Sequence, residues 1–441
     1  MKKPLDLSKK SFAIYGLGAT GVSVIKYFKK VGIKNYILWD DNIKLKKKWR
    51  INKIREKNFK KQINSVDHIV LSPGVNVKKA KLRKALLKNK SKIITDLDLF
   101  YITNPSIRSI VVTGTNGKST TCKIVEHVLK KNEIKVSLGG NIGKPVLNLN
   151  PKKNQLVLIE ASSFQLAHSK HVTPNFALLI NITNDHLDWH GSMKNYINSK
   201  FKIFSLQKKN DFAFLNNNRL LKKYKKNKYK GKLIFINSRK YAKMRKRIKN
   251  KYLNSQSNKE NINFVYALCK SLKIREKLFI KSLKSFKGYP HRYEIFLKKR
   301  NTIFINDSKA TSFQASKFAL QSSKNIFWIV GGKPKLKDKF NLDKLKNNII
   351  KSYIIGNHMN SFKVQLKGKV NYKLSKTLNN AIISIFKDIQ NFTKKKITIL
   401  LSPASASYDQ FKNFEERGNQ FKKIIKNYGK KYFGEIKTKS I

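Results

Sequence analysis

Short apolar, β-branched runs alternate with helical-period segments along the whole chain. Residues 12–15 (FAIY), 36–39 and 68–71 read as strands, with helical patterns over 22–30 and 78–88. The run at 110–112 enters a glycine-rich turn and then a helical pattern over 119–131. Strand patterns recur at 155–159 and 176–180, and again at 302–305, 326–330, 353–355 and 397–401. These runs are mostly apolar at consecutive positions, with His68, Gln155, Thr302 and Thr398 as exceptions. That marks strands covered on both faces and predicts an α/β protein with mostly parallel sheets.

Punctuation divides the pattern. Thr95-Asp96-Leu97-Asp98 precedes a new strand, and Gly288 and Pro290 break the period near residue 289. A chain of 441 residues also exceeds what one core serves, since domains typically run to ~100–200 residues. Three domains are expected, over 1–95, 96–289 and 290–441: a Rossmann-like first, a P-loop-type second, and a Rossmann-like third.

Polar residues cluster just after the strands, where parallel sheets bind ligands. Gly114-Thr115-Asn116-Gly117-Lys118-Ser119-Thr120 lies between strand and helix. Glycines let backbone N–H groups close on phosphate oxygens, Lys118 suits the β/γ-phosphates, and the Ser119 hydroxyl suits Mg²⁺. Val112 stands where a standard Walker A loop has glycine, so this is a shortened P-loop. An ordinary glycine turn with a chance Lys-Ser is the competing reading, and the strand and helix flanks weigh against it. Gly139-Gly140-Asn141-Ile142-Gly143 reads as a second glycine turn. Glu160 and His186 also follow strands. Glu160 suits Mg²⁺ as a carboxylate ligand, and His186 as a further ligand or a contact to the reacting phosphate.

Gly16-Leu17-Gly18-Ala19-Thr20-Gly21 follows the first strand, with Asp40-Asp41 about 20 residues on, as in a dinucleotide fingerprint. Taken alone it points to an NAD-dependent oxidoreductase. A nucleoside linked by diphosphate to a sugar would fit the same glycines. Ser72-Pro73-Gly74 makes another tight turn at a strand end.

Lys and Arg total 97 against 24 Asp and Glu, a net charge of +73. The densest clusters are 239–251 and 222–232, the latter with Tyr224 and Tyr229 interleaved. Such a surface attracts polyanions and speeds encounter with anionic nucleotides. The lysines, however, are spread through every segment, and no nucleic-acid recognition module is present. A compositional drift toward Lys, Asn and Ile on solvated faces explains them better. Non-specific polyanion binding is expected, without a dedicated nucleic-acid partner. No apolar run approaches the ~18 residues of a membrane span, so no membrane insertion is expected. The basic start Met1-Lys2-Lys3 mimics an export signal, but the apolar stretch after it reads as strand and glycine loop. Cys122 and Cys269 have no metal-ligand spacing and form no disulfide framework. A cytoplasmic monomer is the expectation.

TGTNGKST (113–120) resembles the ATP loop of the Mur ligase family, the ATP-dependent amide-bond ligases of peptidoglycan precursor synthesis. The resemblance runs in order through all three segments. It implies a UDP-binding first domain, with Gly18, Ala19, Thr20, Ser72, Pro73, Gly74 and Asn141 at the UDP substrate. It implies ATP held by Gly114, Thr115, Asn116, Gly117, Lys118, Ser119 and Thr120, with Asn258, Asn261, Arg292 and Asp307. Ser257 replaces the family's His in the element that supplies the two asparagines. Lys118, Glu160, His186 and Lys200 would be catalytic. Mg²⁺, as two ions, would sit on Ser119, Glu160, His186 and Lys200, the last as a carbamate. The loops NDSKAT (306–311) and LLSPASASYDQFKNFEERG (400–418) resemble those of the D-glutamate-adding branch. They imply D-glutamate and UDP-N-acetylmuramoyl-L-alanine as co-substrates. Thr311, Lys335, Ser407 at a helix N-terminus, and Phe414 would hold D-glutamate. Branches that add L-alanine or a diamino acid carry different loops, as does folylpolyglutamate synthase. The implied chemistry is an acyl phosphate attacked by an amine, in a site closed by motion about the break near 289.

Overall fold

The apolar run Phe12–Tyr15 pairs in parallel with Tyr36–Trp39 on one side and His68–Leu71 on the other, and Ile93–Ile94 completes a 4-stranded sheet. Successive side chains of this strand go to opposite faces, as pleating requires. Phe12 and Ile14 pack on Val24, Ile25 and Phe28 of the helix Ala19–Lys30. Ala13 and Tyr15 pack on Phe59, Ile63 and Leu86 behind the sheet. This is a computed structural model, and it describes residues 6–51, 56–152, 154–250, 252–253, 256–335, 338–392 and 396–433. The export-like start and Lys251 of the 239–251 cluster lie outside the described residues.

The same period builds a 6-stranded, all-parallel sheet in the order Lys232–Phe235, Phe212–Leu215, Phe176–Leu179, Ser109–Thr113, Leu156–Glu160, Val136–Gly140. Val111, Val157, Ile159 and Ala177 face one core, whereas Ile110, Val112, Leu158 and Leu178 face the other. The helix Lys118–Lys131 covers the second face through Ile124, Val125, Val128 and Leu129, spaced as one helical stripe. The first core also takes in Phe28, Leu97, Phe100 and Val146, so the two sheets share apolar contacts. Residues Met1–Phe286 accordingly form one compact unit and Lys287–Ile441 a second.

The second unit holds a 6-stranded sheet in the order Glu294–Lys299, Thr302–Asn306, Ile397–Leu401, Ile326–Gly331, Ile349–Ile355, Tyr372–Lys376. Only its first pair is antiparallel. The fold is α/β with mostly parallel sheets.

Several local expectations need correction. The helix expected over 78–88 is helical only at Arg83–Lys88. Asn76 accepts from the Lys78 N–H (3.0 Å), and Asp41 draws off the Lys81 N–H (3.1 Å), so local side chains compete with the helical ladder. The first helix begins earlier than 22, at Ala19. Gly139 and Gly140 end the strand Val136–Gly140 and do not form a free turn. The helix after the last strand starts at Phe414, which leaves Ser407 in the preceding loop and away from a helix N-terminus. The strands Phe212–Leu215, Lys232–Phe235, Glu294–Lys299 and Tyr372–Lys376 were not expected. Apart from Phe212–Leu215 they lie at sheet edges, where lysines interrupt the apolar signal.

Candidate active site

Strand Ser109–Thr113 ends at the P-loop, and Gly117 caps the following helix in a left-handed conformation, φ 81°. A Cβ there would lie 2.4 Å from Asn261 Oδ1, so glycine is required for the loop to meet the helix Gln256–Ser271. Asn261 donates to Asn258 Oδ1 (3.3 Å), which places both predicted asparagines beside the loop. Lys118 curls back and donates to the carbonyls of Gly114 (2.9 Å) and Thr115 (2.8 Å).

Lys200 lies on the helix Met193–Phe201, whose first turn is capped by Ser192. It is 1% exposed, and its ammonium donates to the same Gly114 carbonyl at 2.8 Å. Burial, and then repulsion from Lys118, bring its pKa down to about 7. Tyr196, one turn earlier, hydrogen-bonds Thr115 Oγ1 at 2.9 Å and so fixes this helix on the loop. His186 is a left-handed residue, φ 53°, with its ring 4.7 Å from that of Phe164. Its pKa is lowered by burial and by Lys118 and Lys200, against the pull of Asp185.

Glu160 ends the strand next to the P-loop strand and is buried. Its Oε1 accepts from Asn141 Nδ2 at 2.9 Å, while its Oε2 is buried with no hydrogen-bond partner. An unsolvated, unpaired carboxylate oxygen is costly, so this atom is a ready ligand for a cation.

Asn141 also lines a cleft of about 820 Å³ together with Gly18, Ala19, Thr20, Ser72, Pro73 and Gly74. The structure thus brings the predicted UDP-substrate residues around one cavity. Its glycine turn is tightly packed: a Cβ on Gly21 would sit 2.0 Å from Gly16 O, and Ser72 Oγ donates to the same oxygen at 2.7 Å. Asp40 accepts from Leu17 N (2.6 Å) and Asn42 N (2.7 Å), and Asp41 from Tyr15 Oη (2.7 Å) and Trp39 Nε1 (3.0 Å). These acids hold the cleft wall in place.

The second unit is described by itself. Asp307 follows Thr302–Asn306, accepting from Tyr293 N (3.0 Å) and Ser402 Oγ (2.7 Å), and burial raises its pKa to about 7. Arg292 has its guanidinium 5.8 Å from the Tyr289 ring centre. Thr311, Lys335 and Ser407 lie on loops beyond the carboxyl ends of Thr302–Asn306, Ile326–Gly331 and Ile397–Leu401, and Phe414 opens the helix that follows the last of these loops. Lys333 and Ala406 exchange backbone hydrogen bonds (2.9 and 3.0 Å), Phe313 N donates to Asp338 (2.8 Å), and Ser308 Oγ donates to Phe414 O (2.8 Å). These bonds draw the loops together.

Sequence reasoning passed over several residues. Tyr196 clamps the Lys200 helix. Asn181 Oδ1 accepts from Thr115 N (3.1 Å) and Asn116 N (2.9 Å), shaping the P-loop. Buried Arg417 donates to Ser308 Oγ (3.0 Å), Ser308 O (2.8 Å) and Ser405 O (3.0 Å), joining two of the C-terminal loops. Asn181 carried a usable signal, a polar residue just beyond a strand's carboxyl end. Tyr196 and Arg417 lie inside helices and carried none.

A lysine-bearing phosphate loop on a parallel sheet, joined through Glu160 and Asn141 to a glycine-turn cleft, defines a P-loop nucleotide-binding α/β protein with a second nucleotide-sized site. The Mur ligase middle domain matches residues 112–279, and the Mur ligase MurD-like N-terminal domain matches residues 10–94. A UDP-N-acetylmuramoylalanine–D-glutamate ligase of Wolbachia pipientis wMel is 32% identical over 94% of this chain and 96% of its own. The protein of that name from Buchnera aphidicola subsp. Schizaphis graminum is 35% identical over 95% and 98%. The chain belongs to the Mur ligase family. Among solved structures, MurF ligase from Thermotoga maritima in complex with ADP has a TM-score of 0.55 at 18% identity, covering 83% of this chain and 90% of that one. UDP-N-acetylmuramate–alanine ligase MurC from Thermotoga maritima also gives 0.55, at 16% identity, over 96% and 100%. Both agree with this chain in fold.

Proposed function

We propose that this protein is the ATP-dependent ligase that adds D-glutamate to UDP-N-acetylmuramoyl-L-alanine in peptidoglycan precursor synthesis. The observation that carries this reading is the likeness to D-glutamate ligases over the full chain, at 32% identity across 94% of it in one case, C-terminal unit included.

The UDP substrate lies in the cleft of Gly18, Ala19, Thr20, Ser72, Pro73, Gly74 and Asn141. Asn141 touches both this cleft and Glu160, which fits a substrate carboxylate delivered next to the phosphate loop. ATP lies on residues 114–120 with Asn258 and Asn261, and the Mur ligase resemblance assigns Arg292 and Asp307 to it as well. The substrate carboxylate attacks the γ-phosphorus, the bond to ADP breaks, and an acyl phosphate forms. Lys118, released from its loop carbonyls, neutralises charge on the transferring phosphoryl oxygens. The D-glutamate amine then attacks the acyl carbon, phosphate leaves, and the amine proton is lost to solvent or base. Thr311, Lys335, Ser407 and Phe414 hold D-glutamate.

Among the described residues, no three His, Cys, Asp or Glu side chains gather into a metal cage. That suits Mg²⁺, which takes one or two carboxylates and fills its shell with phosphate oxygens and water. Ser119, Glu160 through its unpartnered Oε2, His186 and carbamylated Lys200 are the residues to hold it. When bound, it withdraws charge from the phosphoryl oxygens. Lys200 is suited to carbamylation because a lysine near pKa 7 is substantially neutral at physiological pH, and only the neutral amine reacts with CO₂.

The test is phosphate release from Mg·ATP with UDP-N-acetylmuramoyl-L-alanine and, in turn, D-glutamate, L-glutamate, L-alanine and a diamino acid. Release with D-glutamate alone is expected. Release with another amino acid instead overturns the substrate assignment.

A further inference from the structure

A second cavity, of about 350 Å³, lies beside the nucleotide cleft and shares only Asn76 with it among the lining residues. One wall is apolar, built by Val77, Leu86, Leu87 and Ile93, and the Trp189 indole also lines the space. Lys78, Lys90 and Lys202 contribute ammonium groups, and no Asp or Glu is among the lining residues.

Two features mark this as a built site and not a packing gap. Leu87 leaves 46% of its surface in water at an otherwise apolar wall. The cations also crowd one another: His168, which lines the cavity, has its pKa lowered to about 4 by burial and then by Lys202 and Lys90. Lys202 donates to Ala167 O at 2.6 Å, and an ammonium has two further N–H groups to offer.

We propose that this cavity is a binding site, separate from the nucleotide cleft, for a small amphipathic carboxylate: an aromatic or branched apolar body with one anionic end. The apolar body fits against the exposed Leu87, with Val77 beside it in the lining. The carboxylate answers Lys202 and its neighbouring cations. The size falls in the usual range of small-molecule pockets, about 300–1,000 Å³. Asn195, Asn198 and Ser199 present the helix Met193–Phe201 to the cavity, and the next residue, Lys200, reaches the P-loop. An occupant therefore touches the element that carries Lys200.

The test is calorimetric titration of the full chain with 2-naphthoate and, as the uncharged control, 2-naphthamide, each with and without saturating UDP. Naphthoate is expected to bind about tenfold tighter than the amide, since a charge-assisted contact is at stake. UDP should leave its affinity unchanged. Leu87→Glu, at an exposed position, and Lys90→Gln should each weaken naphthoate about fivefold or more while ADP affinity stays at the wild-type value. Equal binding of acid and amide, displacement by UDP, or unaltered binding in Leu87→Glu would each overturn the proposal.

Discussion

The turn after Phe12–Tyr15 and the turn after Ser109–Thr113 both lead from an interior parallel strand into a helix N-terminus. Both use glycine where backbone approaches backbone or side chain too closely for a Cβ, at Gly21 and at Gly117. They differ in what surrounds them. The first is held by Ser72 and Asp40, has no lysine in its loop, and opens on the larger cleft. The second carries Lys118, shares its Gly114 carbonyl with Lys200, and has Glu160 on the adjacent strand. A glycine turn at a helix start supplies phosphate-binding N–H groups, and the charged groups around it decide between holding a phosphate and transferring one. Membership of the Mur ligase family, and not the turn by itself, sets the nicotinamide reading aside.

The largest effect should follow Lys118→Ala. Phosphate release should fall about 10³-fold, as for loss of a group that stabilises transition-state charge, while UDP affinity stays within about twofold. A variant that still turns over would erase the contrast between the loops.

Lys200→Ala should lower turnover about 10²-fold. The charge logic has its own signature. The Lys200 amine, at about 7, is mostly protonated below that pH, so a ¹³C-carbamate signal from labelled bicarbonate should grow between about pH 6 and pH 8. Lys118→Met removes a repelling ammonium and raises the Lys200 pKa, so the same signal should appear only at higher pH. A pH-independent signal would contradict the shared-carbonyl geometry.

Gly21→Ala sharpens the contrast from the other side. Its Cβ would overlap Gly16 O, so the first turn must shift, at about 1–3 kcal/mol. UDP affinity should drop about tenfold and ADP affinity should hold, both read by calorimetry. The smallest effect is expected for Asn141→Ala, which removes the partner of Glu160 Oε1. A loss of about 1–3 kcal/mol from the orphaned carboxylate should be seen as a raised KM for the UDP substrate and a changed Mg²⁺ requirement.

Much of this was legible beforehand. Interior strands such as Ser109–Thr113 and Ile326–Gly331 announce themselves because both faces are covered and the runs 110–112 and 326–330 are apolar at every position. Edge strands such as Tyr372–Lys376 (YKLSK) did not, because one flank meets solvent and lysines break the run. The stretch 78–82 has helical composition but is held in turns by Asn76 and Asp41, which are distant or non-helical partners that a period cannot reveal. Ser407 was misplaced for a similar reason: its polar run suggests a cap, yet the helix waits until Phe414.

The sequence by itself determined the fold class, the places where strands end in glycine loops, and the residue types available for phosphate and metal there. These follow from local rules, since periodicity and turn chemistry act over a few residues. Tertiary structure alone decided which of those residues meet. Lys200 reaches Gly114 across 86 positions, and Asn141 meets Glu160 because Val136–Gly140 pairs beside Leu156–Glu160. It also decided that Lys200 is buried, and so near neutral pKa in a chain rich in ordinary solvated lysines. Strand order and burial are set by how whole elements pack around a shared core, and no short window of sequence contains that information.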